Sequence, residues 1–313
     1  MSAAPRFRRY RLTQQDVRNL RTALPFIAPW ILGFLAFTVY PIIYSLYLSF
    51  QNYSGFGDPT PAGFTKYTDM FHDPLFWKSL YNTLYYTALA VPIGVVVAIV
   101  LAMLMNQAVR EVAIYRAAFY LPSIIPLFAL TFVFIVLLNP GFGFVDYVLS
   151  IFHIPAVNWL GDAHWTKISI VLLAQLGAGG PALIFLAALR AVPNELYESA
   201  RLDGAGPIRR FYKITFALIT PVILFDLIYG VILGIQIFTP AFVLTGGTSG
   251  GGAYTAGPDN SLLFFVYYLY KQAFQYSDMG TASAMAWVLF VIAVVLSVAI
   301  MRWSKAWVYY EAD

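Results

Sequence analysis

Six stretches of the chain, residues 24–50, 83–104, 117–138, 168–189, 214–238 and 282–302, are each long and apolar enough to cross a bilayer. The hydrocarbon core is about 30 Å thick and a helix rises about 1.5 Å per residue, so roughly 20 apolar residues span it. An outer-membrane barrel would show short segments of alternating polarity instead. Composition agrees: 60% of the residues are hydrophobic and 11% are charged, where an ordinary soluble domain carries about 25% charge. The expected fold class is all-α, a polytopic membrane protein with six transmembrane helices. Residues 1–21 lack the short apolar core and small-residue cleavage site of a secretory signal, so the first stretch is expected to stay as a spanning helix.

Lysine and arginine accumulate on the cytoplasmic side of membrane proteins. Here Arg6, Arg8, Arg9, Arg11, Arg18 and Arg21 precede the first stretch, and Arg110 and Arg116 follow the second. Arg190, Arg201, Arg209, Arg210 and Lys213 lie between the fourth and fifth, and Arg302 and Lys305 end the sixth. With six spans these regions share one side and hold every arginine. The other side has Lys66, Lys78, Lys167 and Lys271 against seven aspartates, among them Asp58, Asp146 and Asp278. The expected layout is a basic cytoplasmic segment (1–23), a first helix (24–50), an external loop (51–81), a five-helix core (82–302) with a cytoplasmic loop at 190–213, and a cytoplasmic tail (303–313). Both termini face the cytoplasm in this layout.

Residues 51–82 mix Gly, Pro and aromatics as a folded cap would, and the glycine-rich 245–257 reads as a flexible loop. Residues 262–275 carry a helical pattern (Leu262, Phe265, Tyr268, Leu269, Gln272), expected as an aromatic helix near the outer interface. The chain has no cysteine, and His72, His153 and His164 are scattered, so no metal site is expected. No Gly-x-x-x-x-Gly-Lys-Ser/Thr phosphate loop occurs, and the glycine run 246–252 lacks the lysine. No catalytic residue or cofactor is expected in this chain.

The informative segment begins at Pro193 and runs through the 190–213 loop. Pro193 suits a first helical turn, Glu195 and Glu198 suit its positive dipole end, and Leu196, Tyr197 and Ala200 make a small apolar stripe. Gly204 can supply a left-handed stop and Pro207 can open the next helix. Two short helices around a glycine hinge are expected.

These residues resemble the signature loop of the permeases of binding-protein-dependent ABC importers: Glu-Ala-Ala, then Asp-Gly-Ala, then Phe and Ile-x-x-Pro. Here the run is Glu198-Ser199-Ala200, Asp203-Gly204-Ala205, Phe211 and Ile214-Thr215-Phe216-Ala217, with Ser199 and Ala217 as departures. The match extends over Asn82-Thr83, Arg116, Leu121-Pro122, Gln236-Ile237-Phe238 and 270–284, and covers roughly 82–302. The first helix, with Pro29 and Pro41, resembles the extra helix of the carbohydrate-type subgroup, as in the first permease of maltose-type transporters. The resemblance implies a type I importer permease fold and alternating access. It implies that Glu198, Ala200, Asp203, Gly204, Ala205 and Phe211 form a coupling element docking on a cytoplasmic ATPase subunit. The implied partners are a second homologous permease, two ATPase subunits that use ATP and Mg, an extracytoplasmic solute-binding protein and membrane lipid, at the bacterial cytoplasmic membrane, with no nucleic acid.

Prolines 92, 122, 126, 181 and 221 and the glycines at 177–180 mark helices able to bend. In the maltose-type register the substrate pathway falls near Ser123, Leu127, Leu176, Gly177, Gly230, Leu233, Gly234 and Ile237, with Gln236 beside them. Ser123, Gln175, Asp226, Tyr229 and Gln236 are the intramembrane polar groups. Gln175 and Gln236 fit interhelical hydrogen bonding as well as ligand contact. Asp226, the one charge inside a stretch, is either functional or paired with the partner permease. A secondary carrier using Asp226 and a membrane enzyme are the competing functions; the first would transport alone, and the second would need clustered acids or histidines at one interface.

Overall fold

A computed structural model of the chain describes residues 14–107, 110–246 and 256–309. α1 (Gln14–Phe34) passes through a π-helical turn (Leu35–Val39) into α2 (Tyr40–Leu48). The helix thus starts well before the apolar stretch at residue 24, because nothing between Gln14 and Ala23 stops it. None of its apolar window is buried; α2 meets the last helix where Trp287 donates to the Ser45 hydroxyl at 3.2 Å. The strands β1 (Gln51–Asn52) and β2 (Thr60–Pro61) pair antiparallel, Gln51 opposite Pro61, and α3 (Thr65–His72) completes a small folded cap.

α4 (Pro74–Met105) begins earlier than its apolar run. The Asp73 side chain caps it, accepting from the Leu75 amide at 2.9 Å, with Pro74 at the first helical position. α4 is the axis of the bundle, packed by α8 (Ala163–Gln175), α9 (Gly179–Ala191) and α12 (Phe216–Gly234), while α12 also meets α15 (Met279–Ser304). At the far end of α4, Arg116 donates to the Met105 carbonyl from Nε (3.1 Å) and Nη2 (2.8 Å). That closes the negative end of the helix with a cation.

The third apolar stretch is not the single helix its composition suggests. It forms α5 (Val112–Ile124) and α6 (Leu127–Leu137), bent by 101°. Pro126 offers no amide hydrogen and forces Ile125 out of the helical region, with ψ at 129°. Five other segments qualify as spans by length and composition: Arg18–Leu48, Pro74–Met105, Ala163–Ala191, Pro207–Leu244 and Met279–Ser304. Between α6 and α8 lies α7 (Phe144–Ile151), and a 3₁₀ turn (Leu176–Ala178) joins α8 to α9. α10 (Asn194–Leu202) and α11 (Pro207–Arg210) lead through a π turn (Phe211–Thr215) into α12, which α13 (Thr239–Leu244) follows.

The region expected as an interfacial helix is different. Helix α14 starts only at Phe265 (Phe265–Tyr270), and Leu262, Leu263, Phe264 and Phe265 are buried against Phe76, Ile170 and Met285. Non-helical backbone can be buried only if its polar groups find partners. Asn82 Nδ2 donates to the carbonyls of Asn260 (2.8 Å) and Leu263 (3.0 Å), and the Phe265 amide donates to Thr83 Oγ1 (2.8 Å). The Asn82-Thr83 pair therefore accommodates an inserted loop. Residues 247–255, most of the glycine-rich segment, lie outside the described residues.

Candidate functional site

Helix α10 starts at Asn194, since Pro193 is extended (ψ 132°) and precedes the helix instead of opening its first turn. Its end is a backbone device. The Gly204 amide donates to the Arg201 carbonyl at 3.0 Å and the Ala205 amide to the Ala200 carbonyl at 2.9 Å, with Gly204 at φ +72°. This nested pair is the Schellman termination, in which the left-handed residue is normally glycine. Pro207 then occupies the first position of α11. The Asp203-Gly204-Ala205 run is thus a corner that reverses the chain.

Glu198, Asp203 and Gly204 are exposed, while Ala200, Ala205 and Phe211 are partly covered. Two residues not singled out from sequence dominate the tip: Leu202 is 91% exposed and Ile208 76%. Leu202 falls two positions beyond Ala200, off the α10 stripe, and that offset was the available signal. Tyr197, which is on the stripe, reaches the base of α12 through Thr215.

A cavity of about 430 Å³ lies among α4, α8, α9 and α12. Leu127 and Gly177 line one side, and Gly230, Leu233, Gly234, Gln236 and Ile237 line the other. Ser123 borders a smaller neighbouring cavity of about 370 Å³ that also touches Leu127 and Gly177. Leu176 lines neither. Asp226, Gln175 and Tyr86 join the main cavity; Tyr229 stacks on Phe225 instead. Tyr86 was legible as the continuation of the Asn82, Thr83, Thr87 and Ala90 face of α4.

The two glycines of α12 have a packing reason as well. A Cβ on Gly230 would come within 2.9 Å of Val91 Cγ1, and one on Gly234 within 3.0 Å of Thr87 Cγ2. Small residues let spanning helices approach closely. Gln236, just past the end of α12, donates from Nε2 back to the Ile232 carbonyl of that helix at 2.7 Å, so this bond bridges no helices. Gln175 Nε2 donates to Val171 O at 2.8 Å and reaches Ala90 O of α4 at 3.4 Å.

Comparison with known proteins places this arrangement. The chain is 36% identical over 289 residues to the probable ABC transporter permease protein YesP of Bacillus subtilis, covering 92% of this chain and 91% of that one. It is 31% identical to the arabinooligosaccharides transport system permease protein AraP of the same organism, covering 93% and 91%. A bacterial alginate ABC transporter, solved in complex with alginate pentasaccharide-bound periplasmic protein, shares the fold at a TM-score of 0.80, with 22% identity over 95% of this chain and 98% of that one. Residues 90–308 match the family described as "Binding-protein-dependent transport system inner membrane component", and the chain belongs to that family as a membrane-spanning permease of an ABC importer.

Proposed function

We propose that this chain is one of two permeases in a sugar or oligosaccharide importer of the bacterial cytoplasmic membrane, with both termini in the cytoplasm. The 190–213 corner docks in a groove of a cytoplasmic ATPase subunit, and two such subunits supply the ATP and Mg chemistry. A second homologous permease completes the membrane pathway, and a solute-loaded external binding protein triggers the cycle. The carrying observation is the corner itself: a hydrogen-bonded Schellman turn presenting a 91% exposed Leu202. An apolar tip so presented is suited to burial in a partner. The likeness to AraP, an arabinooligosaccharides permease, supports an oligosaccharide cargo, and the arginine distribution supports the orientation.

Helix motion follows from differential contact: ATP-driven closure of the ATPase pair moves the corners, and each ligand biases a state only by its preference for it. The cavity lined by Leu127, Gly177, Leu233 and Gln236 is this half's share of the solute pathway. The testing experiment reconstitutes the chain alone, and then with the second permease and the ATPase subunits, in liposomes. Uptake is expected only from the full assembly, with ATP and the binding protein present. Leu202→Asp should keep the protein in the membrane while lowering both uptake and stimulated ATP hydrolysis. Uptake by liposomes holding this polypeptide alone would show a secondary carrier instead.

A further inference from the structure

The main cavity is lined mostly by glycine, aliphatic and aromatic residues, with Gln175, Gln236 and Thr239 among them, and Asp226 is the one residue of formal charge. Asp226 is half-buried, and the ion pairs among the described residues are Lys66–Asp278 and Lys78–Asp259, both elsewhere. Within this chain the carboxylate is therefore not neutralised by a cation among the described residues. A carboxylate held in an apolar wall creates a strong local field, because low-dielectric walls do not screen it as water does.

A second acceptor lines the same cavity. The Gln175 amide nitrogen faces two carbonyls, Val171 O and Ala90 O, which only accept, so the amide's orientation is settled. Its Oε1 is then left buried with no donor. A buried acceptor without a donor is costly, and such a group is expected to find one when a ligand arrives. Gly94 lies beside it: a Cβ there would be in ordinary van der Waals contact with Oε1, at 3.5 Å. The cavity offers these two acceptors beside Gln236 and Thr239, and no lysine, arginine or histidine.

On the reading of this cavity as part of the solute pathway, we propose that Asp226 and Gln175 form an acceptor pair that selects hydrogen-donating solutes, polyhydroxylated and neutral or cationic, and repels anionic ones. Asp226 supplies the repulsion, and Gln175 Oε1, buried in this state, takes a solute hydroxyl when the cavity widens.

This chain has no cysteine, so modification of a single introduced one, read on this polypeptide after it is separated from its partners, reports the local potential. Leu233 is seven residues after Asp226, so it shares that face of α12 and lies about 10 Å along the helix. A single Leu233→Cys in the assembled transporter is reacted with trimethylammonium-ethyl and sulfonatoethyl methanethiosulfonate at low salt. Thr60→Cys in the cap serves as the reference for intrinsic reactivity. The cationic-to-anionic rate ratio at Leu233→Cys is expected to exceed the reference ratio. It should fall by about fivefold or more with Asp226→Asn, the size a unit charge produces at that distance, and be retained with Asp226→Glu. An unchanged ratio in Asp226→Asn would overturn the proposal. So would loss of the second permease from Asp226→Asn on purification, which would make Asp226 an intersubunit partner. If Leu233→Cys reacts with neither reagent while Thr60→Cys does, the cavity is not a wet pathway, and both that reading and this proposal fall.

Discussion

The hydroxyls of Tyr197 on α10 and Thr215, the last residue before α12, lie 2.8 Å apart, with Thr215 buried. This bond joins the corner helix to the base of a spanning helix across 18 residues of chain. A push on the corner therefore reaches α12 through a side-chain link as well as through the backbone of α11.

Loss of that link should uncouple more than it unfolds. Tyr197→Phe removes a hydrogen bond worth about 0.5–1.5 kcal/mol, little for a protein of this size. Uptake and binding-protein-stimulated ATP hydrolysis are expected to drop severalfold at normal membrane abundance. Thr215→Val should do the same, and the double variant should be no worse than either single one, as a shared interaction requires.

Gly204 separates backbone strain from clash. A Cβ there meets nothing within 4 Å, so the cost of Gly204→Val comes chiefly from its φ of +72°. That is about 1–2 kcal/mol, and Gly204→Asn should cost less because Asn tolerates the left-handed region. Uptake is expected to rank Gly, then Asn, then Val, with membrane amounts similar in all three. Charge reversal at the exposed Glu198 is expected to lower uptake without lowering abundance.

At Gly230 the opposite holds. Its backbone is ordinary helix, but an added methyl lies 2.9 Å from Val91 Cγ1. Gly230→Ala should lower the thermal midpoint of the purified protein, a cost of about 1–3 kcal/mol for overpacking. Val91→Ala in the same chain should restore most of it. A Gly230→Ala protein as stable as the parent would show that α4 and α12 yield at this contact.

Acid should loosen the cap. Asp278 caps α15, accepting from the Thr281 amide at 2.9 Å, and pairs with Lys66 of α3 at 2.8 Å. Burial pushes this carboxyl up, but the Lys66 and Thr281 hydrogen bonds outweigh it and hold it below the ordinary aspartate range. Because the folded value is below the unfolded one, its contribution is present above about pH 4 and is lost as pH falls through the folded value. Amide exchange protection across 51–72 should therefore hold from pH 7 to 5 and fall near pH 3. Asp278→Asn should show reduced protection already at pH 7.

Orientation is open to the same cysteine chemistry. Thr60→Cys should react with an impermeant thiol reagent in intact cells (outer-membrane-permeabilised if necessary), and Gln107→Cys and Asn194→Cys should not. Labelling of Gln107→Cys from outside would invert the layout.

Long-range burial cannot be read from local pattern, and the differences between sequence and structure follow from that. The apolar spans and the Gly204 corner were legible, because each rests on a property local in the chain: apolar length, and a residue without a Cβ. Pro126 was visible too, but the 101° bend depends on what the two halves pack against. The 262–275 pattern is equally good for an interfacial helix. Only the tertiary structure decided that Leu262–Phe265 insert into the core, because Asn82 and Thr83, some 180 residues away, satisfy their backbone. The cavity shows the same division. Its small and polar residues are individually evident in the sequence, but bringing Gln175 of α8 and Asp226 of α12 to one space took the packing of both helices on α4, whose Gly94 lies beside the Gln175 oxygen.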